Sequence, residues 1–251
     1  MNPSISDARG VAASQRRSLF FVGMSALLIA LVFVGFARTL FLRSSFGTLD
    51  PALGTPQMPW HLYLHGGLLT TWFVLLLVQT TLVASHRTDL HRGLGVLGGV
   101  VAVLVVVVGV WTVIASIPRN VLAGIDETGR RINLFGNLAT LIVFILCIGR
   151  ALVLRRQPDS HRRLMLLGSI AIVGQATQRI GFMIGFAPLG PLSLPVLLFT
   201  LIAHDLWSRR RIHPATLWGI AVLMVSLVLT PVVARSPIGS AVMERLYATG
   251  R

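Results

Sequence analysis

Lysine is absent from the 251 residues, glutamate occurs only as Glu127 and Glu244, and cysteine only as Cys147. A lone cysteine excludes a disulfide framework and a thiolate-held metal cluster, and its apolar neighbours mark it as a small core residue. The two glutamates fall in loop or tail positions. They leave no carboxylate pair for hydrolysis, and neither His-Glu-x-x-His nor Gly-x-Ser-x-Gly occurs. Charged residues make up only 12% of the chain, where soluble domains carry about 25%. Arginine outnumbers acid, 22 to 8, for a formal charge of +14. Such an excess suits nucleic acid where it forms a soluble basic face with stacking aromatics. Here the arginines sit in short links between apolar runs, which argues against nucleic acid and for topology and lipid-phosphate contact.

What is abundant is apolar sequence, 54% of the chain, in several runs longer than the roughly 18 residues that span a bilayer. The pattern predicts an all-α, polytopic transmembrane bundle of seven helices over 18–42, 60–84, 91–117, 132–153, 164–186, a short sixth ending at Trp207, and 215–234. The loop before the second helix holds Pro51, Pro56 and Pro59, and a Pro188 to Pro195 loop precedes the sixth. Residues 1–17 are expected to form a polar cytoplasmic tail, 18–235 a single membrane domain, and 236–251 an extracytoplasmic tail. Arg16 and Arg17 faintly resemble a twin-arginine export signal, but the run that follows lacks a small-residue cleavage site and reads as an uncleaved crossing. Gly95 with Gly99, and Gly181 with Gly185, are four apart and predict close helix contact. Thirteen arginines fall on the side of the N-terminus and eight on the other. That asymmetry places the N-terminus in the cytoplasm and the C-terminus outside, in a bacterial cytoplasmic (inner) membrane whose anionic phospholipids the arginines meet. A membrane partner subunit or a homo-oligomer is left open.

Laid on this topology, the polar residues form two layers. The cytoplasmic layer holds His91, His161, His204 and Asp205, with Arg92, Arg162 and Arg163. The outer layer holds His61 and His65, one helical turn apart, with Asn137, Gln178 and Arg179. At 1.5 Å per residue, His65 lies roughly 8 Å and Arg179 roughly 10 Å inside the outer boundary. Arginine at a helix centre costs on the order of 3 kcal/mol by insertion scales, so such groups face the bundle interior or water and find partners. Asp205 at a helix C-terminal end opposes the dipole, which calls for an arginine or a metal beside it.

Several segments carry a resemblance: His65-Gly66, Val78-Gln79, Leu90-His91-Arg92-Gly93-Leu94-Gly95, His161-Arg162-Arg163-Leu164-Met165 with Arg179, and Arg211-Ile212-His213-Pro214-Ala215-Thr216-Leu217-Trp218. Across nearly the whole chain they resemble an uncharacterised family of bacterial polytopic membrane proteins. The resemblance implies the architecture and no activity. A looser similarity, of helix bundle and histidines near both faces, is to the cytochrome b561-type haem proteins.

Three functional expectations follow. Imidazole ligates haem iron, zinc and copper. Two of His91, His161 and His204 would hold one b-type haem, with Arg92 or Arg162 on its propionates; alternatively all three with Asp205 would hold a divalent metal. His61 and His65 share one helix face and cannot ligate opposite sides of a second haem. In the second expectation His61, His65, Asn137, Gln178 and Arg179 line an outward pocket for an anionic or polar small molecule, although no repeat or pair of broken helices accompanies it. In the third, the arginines only anchor a structural protein to anionic lipid.

Overall fold

The computed structural model describes residues 5–46, 58–122 and 124–249, and among these every regular element is helical. Pro51 and Pro56 lie outside the described residues. Helix α1 covers Ile5–Phe36 and continues through a π-helical turn, Ala37–Phe41, into the short α2, Arg43–Phe46. There follow α3 (Trp60–Ala84), α4 (Thr88–Ala115), α5 (Ile117–Leu122), α6 (Glu127–Val153), α7 (Pro158–Met183), α8 (Leu189–Arg209), α9 (Pro214–Arg235) and α10 (Pro237–Thr249). Two stretches expected as tails are therefore partly helical: α1 starts at Ile5, and α10 occupies most of the C-terminal segment.

Local chemistry sets the boundaries a turn away from where hydropathy put them. Asp126 caps α6 by accepting from the Gly129 N–H at 3.3 Å, the side-chain cap that a helix N-terminus needs. The helix thus begins before Arg130 and Arg131. Pro158 occupies the first turn of α7, where a missing N–H costs nothing. That start places Asp159, His161, Arg162 and Arg163 on helix. Pro195 lies inside α8, which begins at Leu189 and reaches 21 residues. The expected Pro188–Pro195 loop is mostly helix, so the sixth apolar segment is long enough to cross.

Six helices have the length and apolar composition to cross a membrane: Ser18–Phe41, Trp60–Ala84, Thr88–Ala115, Glu127–Val153, Leu189–Arg209 and Pro214–Arg235. The expected fifth crossing, α7, has 26 residues but falls short of that composition, and its position explains why. It packs against α1, α6, α8 and α9, and Leu164, Leu167, Ser169, Ile170, Val173, Ala176 and Thr177 are all at most 1% exposed. A helix sheathed by other helices does not have to be apolar enough for lipid, and small residues let its neighbours approach. A methyl group on Gly35 of α1 would sit 2.4 Å from the Ala176 carbonyl oxygen, and one on Gly219 of α9 would sit 2.5 Å from Leu167. These are the close contacts of the bundle. Gly95 and Gly99 have nothing within 4 Å of an added methyl, Gly185 lies beyond the helix at φ 72°, and Gly181 meets the Phe186 carbonyl after it. Of the two glycine faces expected from spacing, that of Gly95 and Gly99 makes no such contact, whereas Gly181 meets Leu189, the first residue of α8, at 3.2 Å.

The main core joins Phe21, Leu28, Trp72, Phe144, Ile170, Leu201 and Leu223 across six helices. The Trp72 indole N–H donates to Ser169 Oγ at 3.1 Å, tying α3 to α7. A smaller cluster of Ile117, Leu134 and Met243 seats α10 on the end of α6. The Arg131 guanidinium donates to Ser240 there.

Candidate functional site: the histidine and arginine layer

One end of the bundle gathers the start of α4, α7 and α9 with the finish of α3, α6 and α8. At its centre Arg163 and Asp205, both fully buried, pair through Nε at 2.9 Å and Nη2 at 2.5 Å to Asp205 Oδ1. Asp205 Oδ2 accepts from Thr216 Oγ1 at 2.7 Å and from the His213 backbone N–H at 3.0 Å. Four donors thus saturate the carboxylate that opposed its own helix dipole, and three helices are joined at one side chain. The partner that its position called for is an arginine. Arg163 Nη1 also donates to the Asp159 carbonyl at 2.8 Å. The Asp159 carboxylate pairs with Arg162 and Arg209, and the guanidinium of Arg162 lies 4.8 Å over the Phe21 ring.

Removing a charge pair from water is expensive, and complete hydrogen bonding is what makes it tolerable. Here that condition is met, and the group acts as a clamp on α7, α8 and α9. His213 caps α9 with Nδ1, which accepts from the Ala215 N–H at 3.1 Å, so its ring proton is on Nε2. Burial, then the nearby Arg163 and Arg209, hold this imidazole below its ordinary value, against the opposing pull of Asp205.

Beside the clamp, His91 of α4 and His161 of α7 approach to 6.3 Å between ring centroids, at 82°. His161 Nδ1 donates to the Ala151 carbonyl at 2.8 Å, which leaves Nε2 for other chemistry. His91 Nδ1 is buried with no hydrogen-bond partner, and so is the side-chain oxygen of Gln79. The Gln79 backbone carbonyl bears on the His91 ring. His204 is elsewhere at this end: it stacks on Phe20 at 3.7 Å and 8°, with the edge of Phe21 at 5.6 Å. Arg92 is exposed and Arg162 is engaged by Asp159.

The expected metal set of His91, His161, His204 and Asp205 is therefore not gathered. Among the described residues no group of three or more His, Cys, Asp or Glu is placed to hold a metal ion. Asp205 is committed to Arg163, Thr216 and His213, and His204 to an aromatic stack. Arg163 was expected in this layer without an assigned role, and Asp159, Arg209 and Thr216 were missing from it. An Asp-x-x-Arg-Arg run just after a helix-starting proline was the signal that sets Asp159 beside Arg162 and Arg163, since positions three and four apart share a helix face.

The outer residues divide among four helix contacts. His61 packs on Trp111 of α4 at 5.4 Å, next to His65 on α3. Asn137 accepts from Gln175 Nε2 at 3.3 Å between α6 and α7. Arg179 lies 5.0 Å over the Phe36 ring of α1, and exposed Gln178 backs onto Gly190 of α8. Comparison of the chain with protein-family models, with curated proteins and with solved structures gives no match.

Proposed function

We propose that this chain is a seven-crossing protein of the bacterial cytoplasmic membrane, N-terminus inside and C-terminus outside, that carries a b-type haem between His91 and His161 and acts in electron transfer. The α7 helix is the seventh crossing in this reading, sheltered by α1, α6, α8 and α9. The cytoplasmic end is the one with the Arg163–Asp205 clamp, where exposed Arg155, Arg156, Arg210 and Arg211 face anionic phospholipid.

The observation that carries the haem is the pairing of two imidazoles from separate helices, 6.3 Å apart. Two imidazoles on opposite sides of one metal, each bonded at about 2.0 Å, have centroids roughly 6 Å apart. A ligating histidine commonly holds its second ring nitrogen on a carbonyl, as His161 does on Ala151. Exposed Arg92, next to His91, is the residue for a propionate; Arg162, taken by Asp159, is not. Bound there, the haem would supply one-electron exchange. The residues hold the imidazoles apart, fix one tautomer and keep the remaining charges paired.

Absorption spectra of the detergent-purified protein, oxidised and dithionite-reduced, test the proposal. A Soret band that shifts on reduction is expected. It should be lost in His91→Ala and His161→Ala, with membrane insertion intact, and kept in His204→Ala. No haem in protein made with haem available refutes the reading.

A further inference from the structure

The end of the bundle opposite the clamp carries an imidazole pair of a different geometry. His61 and His65 stand in the first two turns of α3, at the four-residue spacing that puts side chains on one helix face about 5–6 Å apart at Cβ. His65 Nδ1 is buried and has no hydrogen-bond partner. A desolvated ring nitrogen left without a partner is costly. Two indoles stand against His61, Trp111 at 5.4 Å and Trp60 at 6.4 Å, and they lie 4.9 Å from each other.

Hydrogen bonding within the protein does not use that nitrogen, and two imidazoles one turn apart form a chelate for a metal ion, the arrangement that helical His-x-x-x-His sites exploit. From this geometry we infer that His61 and His65 chelate one divalent transition-metal ion, copper(II) most tightly because it heads the divalent series with nitrogen ligands. Two protein ligands leave positions for water, and the site lies near the helix start: α3 begins at Trp60, one residue before His61 and five before His65, and Trp60 is 67% exposed. The site is a mononuclear ion site, since side chains on one helix face cannot reach both sides of a porphyrin. It shares no residue with the His91–His161 pair and does not depend on the haem reading.

The two indoles give the test its readout, because copper(II) quenches the fluorescence of adjacent tryptophan. Full-length protein, stripped with chelator in detergent, is titrated with copper(II) chloride, and bound copper is measured by elemental analysis after desalting. One copper per chain with saturable quenching is expected. His61→Ala and His65→Gln should each lose both, while eluting as the wild type does on size exclusion. Trp111→Phe should lose part of the quenching, leaving that of Trp60, and keep the copper. A His91→Ala/His161→Ala double variant should keep both, which separates this site from the other. Wild-type protein that binds no copper, or binding and quenching unchanged in His65→Gln, overturns the inference, as does loss of copper in the double variant alone.

Discussion

Replacing Asp205 with alanine removes the acceptor shared by Arg163, Thr216 and the His213 N–H, and leaves a guanidinium with no exposed surface. Breaking a buried pair by deleting one partner costs about 3–5 kcal/mol, because the surviving charge stays desolvated. At roughly 2–4 °C per kcal/mol for a chain of this size, Tm in detergent should fall by about 6–20 °C. The Asp205→Leu/Arg163→Met double variant should recover much of that loss, since well-packed apolar replacements of buried pairs are often neutral or better. Adding Thr216→Val removes the hydroxyl that the double variant strands. Thermal unfolding followed by tryptophan fluorescence measures all three, and the Asp205→Leu and Arg163→Met single variants complete the cycle that gives the coupling. An Asp205→Ala protein within about 3 °C of wild type, or a double variant worse than the single, would refute the clamp.

The His213 imidazole sits below its ordinary value of 6.5, so the unfolded chain takes up its proton first as pH falls. Its contribution is full above about pH 6.5 and is lost as pH drops toward the lower folded value. His213→Asn, which retains a cap for the Ala215 N–H, should flatten the decline in Tm between pH 7 and pH 5; an unchanged slope counts against the assignment. Gly35→Ala should destabilise by about 1–3 kcal/mol through overpacking on the Ala176 backbone, whereas Gly95→Ala and Gly99→Ala should unfold as the wild type does. Arg210 ends α8 in the left-handed region at φ 57°; Arg210→Gly should raise stability by about 1 kcal/mol, read as a rise in Tm.

Several parts of this molecule were legible without coordinates. Apolar runs specify membrane helices because in a bilayer a helix is the way one segment satisfies its own backbone hydrogen bonds, and the segments at 60–84 and 91–117 needed at most a few residues of correction. The need of Asp205 for a counter-charge was legible too, because its helix dipole disfavours it. Hydropathy misplaced the starts of α6 and α7, where caps and a proline act through local geometry that an apolar average does not register. It also read the Pro188–Pro195 stretch as loop, although Pro188 is the residue before α8, Pro191 falls in its first turn, where no N–H is needed, and the helix carries Pro195 inside it.

Composition and periodicity thus determined an arginine-rich, helical membrane protein with polar residues in two layers, since burial in lipid is a property of each segment alone. Tertiary structure decided how those residues pair. Side chains far apart in sequence meet through helix rotation and tilt, which depend on close approaches such as Gly35 to Ala176 and Gly219 to Leu167. That packing sent Asp205 to Arg163, turned His204 onto Phe20, set His91 beside His161, and buried the least apolar helix at the centre of the bundle.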